Sequence, residues 1–341
     1  MKQNKIKLFI FIKKIKLYFL FSIFVLIFKL NLYKNINKII NLKVCLCTLG
    51  KKENKYIREY VEHYKKYGVD KIFLYDNNDI DGERFEEEIN DYIESGFVEL
   101  INWRGVPKAL IKIINQCYQK NKDKYDWLIF YELDEFLYLK NYNNIKIYLN
   151  QRRFKICKSI QLNWVHRSDN NLMFYEKKPL AIRFNEKGKN VKKNKFNKLA
   201  FIKTILRGHM NNITITHVHR LCLKIKGCDG FGRKAELDVI RSLRPDYEYY
   251  YINHYYGKSV EEFIEKLKRG DVYKGITKKN NMYQLKKYFY INKITSEKLD
   301  YIEKILGDKV NLSEYRKKYR KINIIIYFFL NNFNIIIFFS K

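Results

Sequence analysis

The sequence predicts an α/β protein, a mostly parallel sheet with helices on both faces, set between apolar terminal segments. Three observations carry this. Short apolar runs alternate with segments of helical spacing through residues 43–130. The chain has 341 residues, 47% of them hydrophobic, which is enough to bury a sizeable core. Acidic residues also fall just past two of the expected strand ends, the place where open parallel sheets bind ligands.

Residues 43–49 (KVCLCTL) read as a buried strand in which Cys45 and Cys47 alternate with apolar neighbours. Residues 53–67 place Tyr56, Ile57, Tyr60, Val61 and Tyr64 at helical spacing, and Gly68 ends that helix. Residues 69–75 (VDKIFLY) form a second strand, followed by the polar turn Asp76-Asn77-Asn78-Asp79 and then Asp81-Gly82. A helix over 83–95, a strand over 97–102 and a helix over 109–120 come next. Residues 127–130 (WLIF) are a fourth strand leading into Tyr131-Glu132-Leu133-Asp134-Glu135-Phe136. No internal repeat is evident.

Residues 1–42 form a basic N-terminal segment, 43–320 the globular part and 321–341 an apolar tail. Within the first, residues 17–28 are apolar apart from Ser22, with Lys13, Lys14 and Lys16 before them and Lys29 after. A bilayer span needs about 20 residues, and snorkelling lysines would extend the run to 15–33. The expectation is a membrane-associated protein with a single-pass anchor there, its N-terminus on the cytoplasmic side, and otherwise at the cytoplasmic face. No A-x-A-like cleavage site follows the run. In the stretch 322–340, Asn323, Asn331, Asn332 and Asn334 interrupt the apolar residues, so it reads as a membrane-associating or packing tail.

The formal net charge is +32, from 68 Lys+Arg against 36 Asp+Glu. Only 15 of those 68 are Arg, and Ile, Asn, Tyr and Phe are also abundant. All these residues have A/T-rich codons, so base composition accounts for much of the charge and no nucleic-acid partner is expected. A basic surface would still favour anionic lipid or a phosphorylated substrate. The six cysteines are dispersed without a C-x-x-C pair, which argues against a disulfide-dense scaffold and a zinc ribbon and favours buried free thiols. No G-x-G-x-x-G follows the first strand and no G-x-x-x-x-G-K-[ST] occurs, which disfavours a dinucleotide-binding enzyme and a P-loop NTPase.

Glu132 and Asp134 are two residues apart, so in an extended segment they share one face. Two carboxylates at a strand end hold a hard divalent cation through oxygen, and Mn2+ or Mg2+ there neutralises a departing diphosphate. A solvated acidic turn is the plainer alternative.

Several ordered motifs resemble glycosyltransferase family 92 and related family 2-like glycosyltransferases. The helix motif E-x-x-Y-[IL]-x-E-[WY]-x-x-[HY]-[HY] appears as Glu53, Tyr56, Ile57, Glu59, Tyr60, His63 and Tyr64. The next, G-V-x-[KH]-[IF]-x-[IL]-Y-D-N, runs from Gly68 to Asn77, and W-[IL]-x-x-x-D-x-D-E-[FY] runs from Trp127 to Phe136 with Glu132 in place of the first Asp. Leu162-Asn163-Trp164, Lys203-Thr204-Ile205, Asn253-His254-Tyr255, Lys258-Ser259, Glu262-Phe263 and Lys266 to Gly270 continue the likeness, which covers about 43–275.

The resemblance implies a GT-A fold, with 43–150 as a nucleotide-sugar half, 151–275 as an acceptor half and 276–320 as a helical extension. It implies transfer of a sugar, galactose in some relatives, from a nucleotide-sugar donor, a UDP-sugar, to a glycan or lipid-linked acceptor, typically with inversion. By resemblance, Thr48 and Glu53 face the donor nucleotide, Asp76 its base or ribose, and Lys203 a phosphate. Asp134 binds the metal, with Glu132 beside it and His254 as a third contact. A general base for the acceptor hydroxyl is sought in Asp169 or Asp229. His217 and His219 share a strand face but find no further zinc ligand at recognisable spacing. The activity expected is that of a metal-dependent hexosyltransferase in cell-surface glycan synthesis. The alternatives are a non-catalytic basic membrane- or nucleic-acid-binding protein on a degenerate version of the fold, and a nucleotidyl-transferring enzyme on a similar sheet.

Overall fold

In the computed structural model, residues 16, 18, 20–30, 41–189, 200–222, 225, 227–270 and 277–320 are described. The alternation expected from the sequence is present, as β1 (Val44–Gly50), α1 (Asn54–Lys66), β2 (Lys71–Asp76), α2 (Glu86–Glu94), β3 (Val98–Asn102), α3 (Leu110–Asn121) and β4 (Trp127–Phe130). The chain continues through β5 (Glu135–Leu139), α4 (Ile145–Leu149), β6 (Ser159–His166), α5 (Leu180–Arg183), β7 (Ile202–Arg207) and β8 (Cys228–Asp229). A small antiparallel pair, β9 (Leu237–Asp238) and β10 (Arg241–Ser242), precedes β11 (Tyr250–His254) and the helices α6 (Val260–Arg269), α7 (Lys278–Ile291) and α8 (Ser296–Leu306).

The main sheet has the order β3-β2-β1-β4-β7-β6-β11-β5, with β8 beside β6. The pairs β4–β7, β6–β7 and β5–β11 are antiparallel. The pairs among β1, β2, β3 and β4, and those of β6 with β8 and β11, are parallel. The mostly parallel α/β class is therefore as expected.

β1 shows why helices cover both faces, since alternate residues of a strand point to opposite sides. Val44 and Leu46 pack with Tyr56, Ile57, Tyr60 and Tyr64 of α1. Cys45 and Cys47 pack with Ile113, Ile114 and Cys117 of α3. A separate apolar cluster joins α6, α7 and α8 through Phe263, Leu267, Leu285, Tyr288, Leu299 and Ile302.

Gly68 stops α1 as the sequence implies. Its φ of 79° is left-handed, its N–H donates to the Lys65 carbonyl at 3.0 Å, and the Val69 N–H donates to the Tyr64 carbonyl at 3.1 Å. This paired closure satisfies carbonyls the helix end would otherwise leave open, and Val69 packs with Tyr64 in the core.

The expectation of free thiols throughout is corrected. Cys47 is disulfide-bonded to Cys117 and Cys157 to Cys228, while Cys45 and Cys222 are free. Sequence separations of 70 and 71 residues carry no spacing signature. The pairing follows from tertiary placement: β1 presents Cys47 to α3, and β8 lies against β6, which begins just after Cys157.

At the N-terminus, residues 20–30 are helical and their large apolar side chains are exposed, Phe21, Phe24 and Phe28 among them. Among the described residues no helix is long and apolar enough to cross a membrane. The remainder of the expected anchor, at 15, 17, 19 and 31–33, and the tail at 321–341 lie outside the described residues.

Candidate active site

The acidic segment is held by its backbone before its carboxylates come into play. After β4, residues 131–134 lead across the edge where β1 and β2 also end, with Gly50 paired to Asp76. Three α1 side chains at helical spacing grip this crossing. The Tyr60 hydroxyl donates to the Tyr131 carbonyl at 3.1 Å. The Tyr64 hydroxyl donates to the Glu135 carbonyl at 2.8 Å and accepts from the Leu137 N–H at 3.2 Å. His63 Nε2 lies 3.0 Å from the Leu137 carbonyl. A Cβ on Gly50 would stand 2.7 Å from Leu133 and 2.4 Å from Phe85, so glycine is what lets β1 end against this segment. On the far side, β5 pairs with β11 so that Glu135 faces His254, and the Tyr255 N–H donates to the Asp134 carbonyl at 2.9 Å.

A cleft of about 480 Å³ opens at this edge, with Leu49, Glu53, Asn77, Glu132, Asp134 and Lys266 in its wall. Asp134 Oδ2 is 3.0 Å from Lys266 Nζ and 3.5 Å from His254 Nε2. Burial acts to raise the Asp134 carboxyl, but Lys266 and His254 outweigh it and hold the group well below the usual carboxylate range. His254 is pushed down to about 4 by burial, against the opposing pull of Asp134. Glu135 is pushed up to about 8 by burial, although Lys203 opposes the shift. Lys203, itself buried, sits 2.5 Å from Glu132 and 3.2 Å from Glu135. Glu53 is 2.7 Å from Arg269 and 3.0 Å from Lys258, and these cations overcome its burial to lower its pKa.

Among the described residues, one ligand atom each from Asp134, Glu135 and His254 can lie within 4.8 Å of one another. Asp134 Oδ1 and His254 Nδ1 are buried with no hydrogen-bond partner. Buried polar atoms are ordinarily paired, so two orphans beside a cleft fit a missing partner. A carboxylate with an imidazole suits Mn2+ as a borderline ion, and further oxygen from Glu135 or a ligand suits Mg2+. Asp134 and His254 therefore fit a divalent cation. Glu132, expected as a ligand, has its carboxylate paired with Lys203 instead.

A family model for glycosyltransferase family 92 matches residues 40–300. The chain belongs to glycosyltransferase family 92. A family 92 protein of Oryza sativa subsp. japonica is 29% identical over 96 residues, 28% of this chain and 16% of that protein. One of Ricinus communis is 28% identical over 109 residues, 30% of this chain and 18% of that protein. One of Arabidopsis thaliana is 28% identical over 103 residues, 30% of this chain and 17% of that protein. The chain thus spans less than a fifth of the length of these curated relatives. Among solved structures, Staphylococcus aureus TarS in complex with UDP-GlcNAc aligns at a TM-score of 0.38 and 12% identity, over 79% of this chain and 80% of that one.

The family 92 motifs divide between the cleft and its supports. Glu53, Glu132 and Asp134 line the cleft. His254 reaches Asp134 from β11, and Lys203 reaches Glu132 from β7. Thr48 is buried on β1, one residue before the cleft residue Leu49. Asp76 is not in the cleft wall: its Oδ2 accepts from Arg104 at 2.6 Å and its Oδ1 from the Asn78 N–H at 2.9 Å. Arg104 also donates to the carbonyls of Asp79, Gly82 and Glu83, so Asp76 shapes the turn whose Asn77 and Asp79 face the cleft.

The two expected bases are placed elsewhere. Asp169 is 1% exposed, with Oδ2 accepting from Lys298 at 2.6 Å and from the Tyr288 hydroxyl at 2.7 Å. A carboxylate closed in this way has no room for an acceptor hydroxyl. Asp229 accepts from the Phe231 and Arg233 N–H groups and from the Arg233 side chain, as a turn-forming aspartate does. Neither lines the cleft. His217 and His219 adjoin no third ligand group among the described residues, and His219 packs on Trp164 and Phe201. Trp164 lies against the His254 imidazole, with ring centroids 4.0 Å apart.

Lys203, expected to contact a donor phosphate, is buried between Glu132 and Glu135 and is not in the cleft wall, and sequence reasoning left Lys258, Lys266, Arg269 and Lys287 without roles. Lys266 and Arg269 stand three apart on α6, so both reach one side of the helix and both line the cleft. Their spacing was a readable signal. Lys258 pairs with Glu53 from the loop before α6. Lys287 on α7 lies over the Trp164 and Tyr256 rings, and burial and Lys266 push its ammonium down to about 7.

Proposed function

We propose that the protein is a glycosyltransferase that takes a UDP-sugar into this cleft and passes a hexose such as galactose, with inversion, to a glycan or lipid-linked acceptor. The observation that carries the reading is Asp134 in the cleft wall with its Oδ1 buried and unpartnered, beside His254, whose Nε2 lies 3.5 Å from Oδ2 and whose Nδ1 is also buried without a partner. Asp134 and His254 would hold Mn2+ or Mg2+, which supplies charge neutralisation for a departing nucleoside diphosphate. Lys51, Lys266 and Arg269 line the same cleft and supply further positive charge to phosphate oxygens. Leu49, Glu53 and Asn77 form the wall nearest the ends of β1 and β2, where the nucleoside sits in this reading.

The exposed apolar helix over 20–30, with Lys29 near its end, supports attachment to a membrane surface. The two disulfides support an oxidising compartment for the catalytic part rather than the cytoplasmic face.

A thermal-shift panel of nucleotide sugars, nucleoside triphosphates and RNA, with and without Mn2+, tests the reading, because a ligand that binds the folded state raises its melting temperature. The reading expects the largest shift from a UDP-sugar with Mn2+. Salt-sensitive RNA binding with no shift from any nucleotide sugar would replace it with the non-catalytic alternative.

A further inference from the structure

Lys266 occupies the position that a divalent cation would contest. Its ammonium is 3.0 Å from Asp134 Oδ2 and 3.1 Å from the Tyr256 carbonyl, and lies 4.5 Å from the Tyr256 ring centre. Lys203, which also pairs with carboxylates of the acidic cluster, is different in kind. Lys203 is 2% exposed at its side chain and fixed between two carboxylates, whereas Lys266 is 27% exposed and lines the cleft. A long side chain at a cleft wall can swing its charge several ångströms without moving its helix. Its helix is anchored independently: Ser259 and Glu262 cap α6 reciprocally, and Glu262 is held by Arg183.

An ammonium and a divalent cation cannot share the Asp134 carboxylate at close range without strong repulsion in a partly dry site. The cleft also offers Lys266 a second place to go. Arg269, one turn further along α6, and Lys51 line the same cleft, so a bound diphosphate would meet a converging set of cations.

We propose that Lys266 is a resident counter-ion of Asp134, which must leave the carboxylate for a divalent cation to bind and transfers to the diphosphate of the donor when it does. The proposal rests on the glycosyltransferase reading above and adds to it a coupling between the two ligands. Diphosphate draws Lys266 off Asp134 and so strengthens cation binding, and by linkage the cation strengthens diphosphate binding by the same factor. Without diphosphate the lysine keeps cation affinity low.

The test is direct titration of the full chain and of Lys266→Met and Lys266→Arg with Mn2+ alone, followed by electron paramagnetic resonance of the free ion, and with UDP alone, followed by calorimetry. Thermal melting of each variant verifies folding. Lys266→Met is expected to bind Mn2+ alone about ten-fold more tightly than the native chain, and UDP alone several-fold more weakly. Lys266→Arg, which keeps the charge, is expected to bind Mn2+ as weakly as the native chain. Equal Mn2+ affinity in the native chain and Lys266→Met overturns the proposal while leaving the metal site intact. If Mn2+ binds none of the three, with or without UDP, both the proposal and the metal part of the functional reading fail.

Discussion

Tyr64 and Glu135 meet through the backbone of the acidic segment rather than through its acid. The phenol donates to the Glu135 carbonyl at 2.8 Å while the Leu137 N–H donates to the phenol at 3.2 Å, all of it buried. One hydroxyl on α1 thus fixes the start of β5, and with it the direction in which Asp134 leaves the chain. Removing that hydroxyl strands a buried carbonyl and a buried N–H.

Tyr64→Phe is therefore expected to cost about 1–3 kcal/mol of stability, the penalty for unpaired buried backbone groups. Urea unfolding measures it. An unchanged midpoint and slope would mean that the acidic segment holds its shape without α1.

Asp169 is expected to act in folding and not in chemistry. Truncating it leaves the buried Lys298 ammonium without its carboxylate, with only Asn171 Oδ1 and the Lys293 carbonyl to accept from it. Asp169→Ala should then lose about 3–5 kcal/mol. At a temperature where it remains folded, its kcat should stay within a few-fold of the native value. Loss of kcat by about 10²-fold or more with folding intact would restore Asp169 as the base.

Glu262 gives the fold an acid sensitivity. Burial acts to raise its pKa, but hydrogen bonds from Arg183, Ser259 and Tyr56 outweigh this and hold it below the ordinary 4.5. A group depressed in the folded state contributes stability above its unfolded pKa and loses it as pH falls through the folded value. The native chain should lose stability below about pH 4.5, and Glu262→Gln should be less stable at neutral pH but lose less on acidification. Denaturant melts at pH 7, 5 and 4 compare the two. Parallel pH profiles would assign the acid sensitivity to other carboxylates.

The disulfides make a separate claim. A bridge closing about 70 residues is worth about 4 kcal/mol in the chain-entropy description. Thiol counting on denatured, unreduced protein should find Cys45 and Cys222 only, and reductant should lower the melting temperature. Six reactive thiols and no effect of reductant would return the cysteines to the free state expected from sequence.

The alternation of strands and helices, the end of α1 at Gly68 and the placing of Asp134 were legible because each depends on local spacing or on a short motif. The disulfides were not, since Cys47 meets Cys117 only through the packing of β1 on α3. Asp169 and Asp76 looked available because a sequence shows a carboxylate without the Lys298 or Arg104 that closes it. Glu132 stood in the metal motif, yet Lys203, some 70 residues later in the chain, takes its charge. Helical spacing put Tyr56, Tyr60 and Tyr64 on one stripe of α1, but a spacing does not show that their hydroxyls hold Glu262 and the acidic segment.

The most direct test of the account is nucleoside diphosphate release from a UDP-sugar with Mn2+ present, measured for the native chain and for Asp134→Asn. The variant keeps the side chain's size and removes its charge. The account expects turnover to fall about 10²-fold or more while the melting temperature stays close to native. Turnover by Asp134→Asn at the native rate would contradict it.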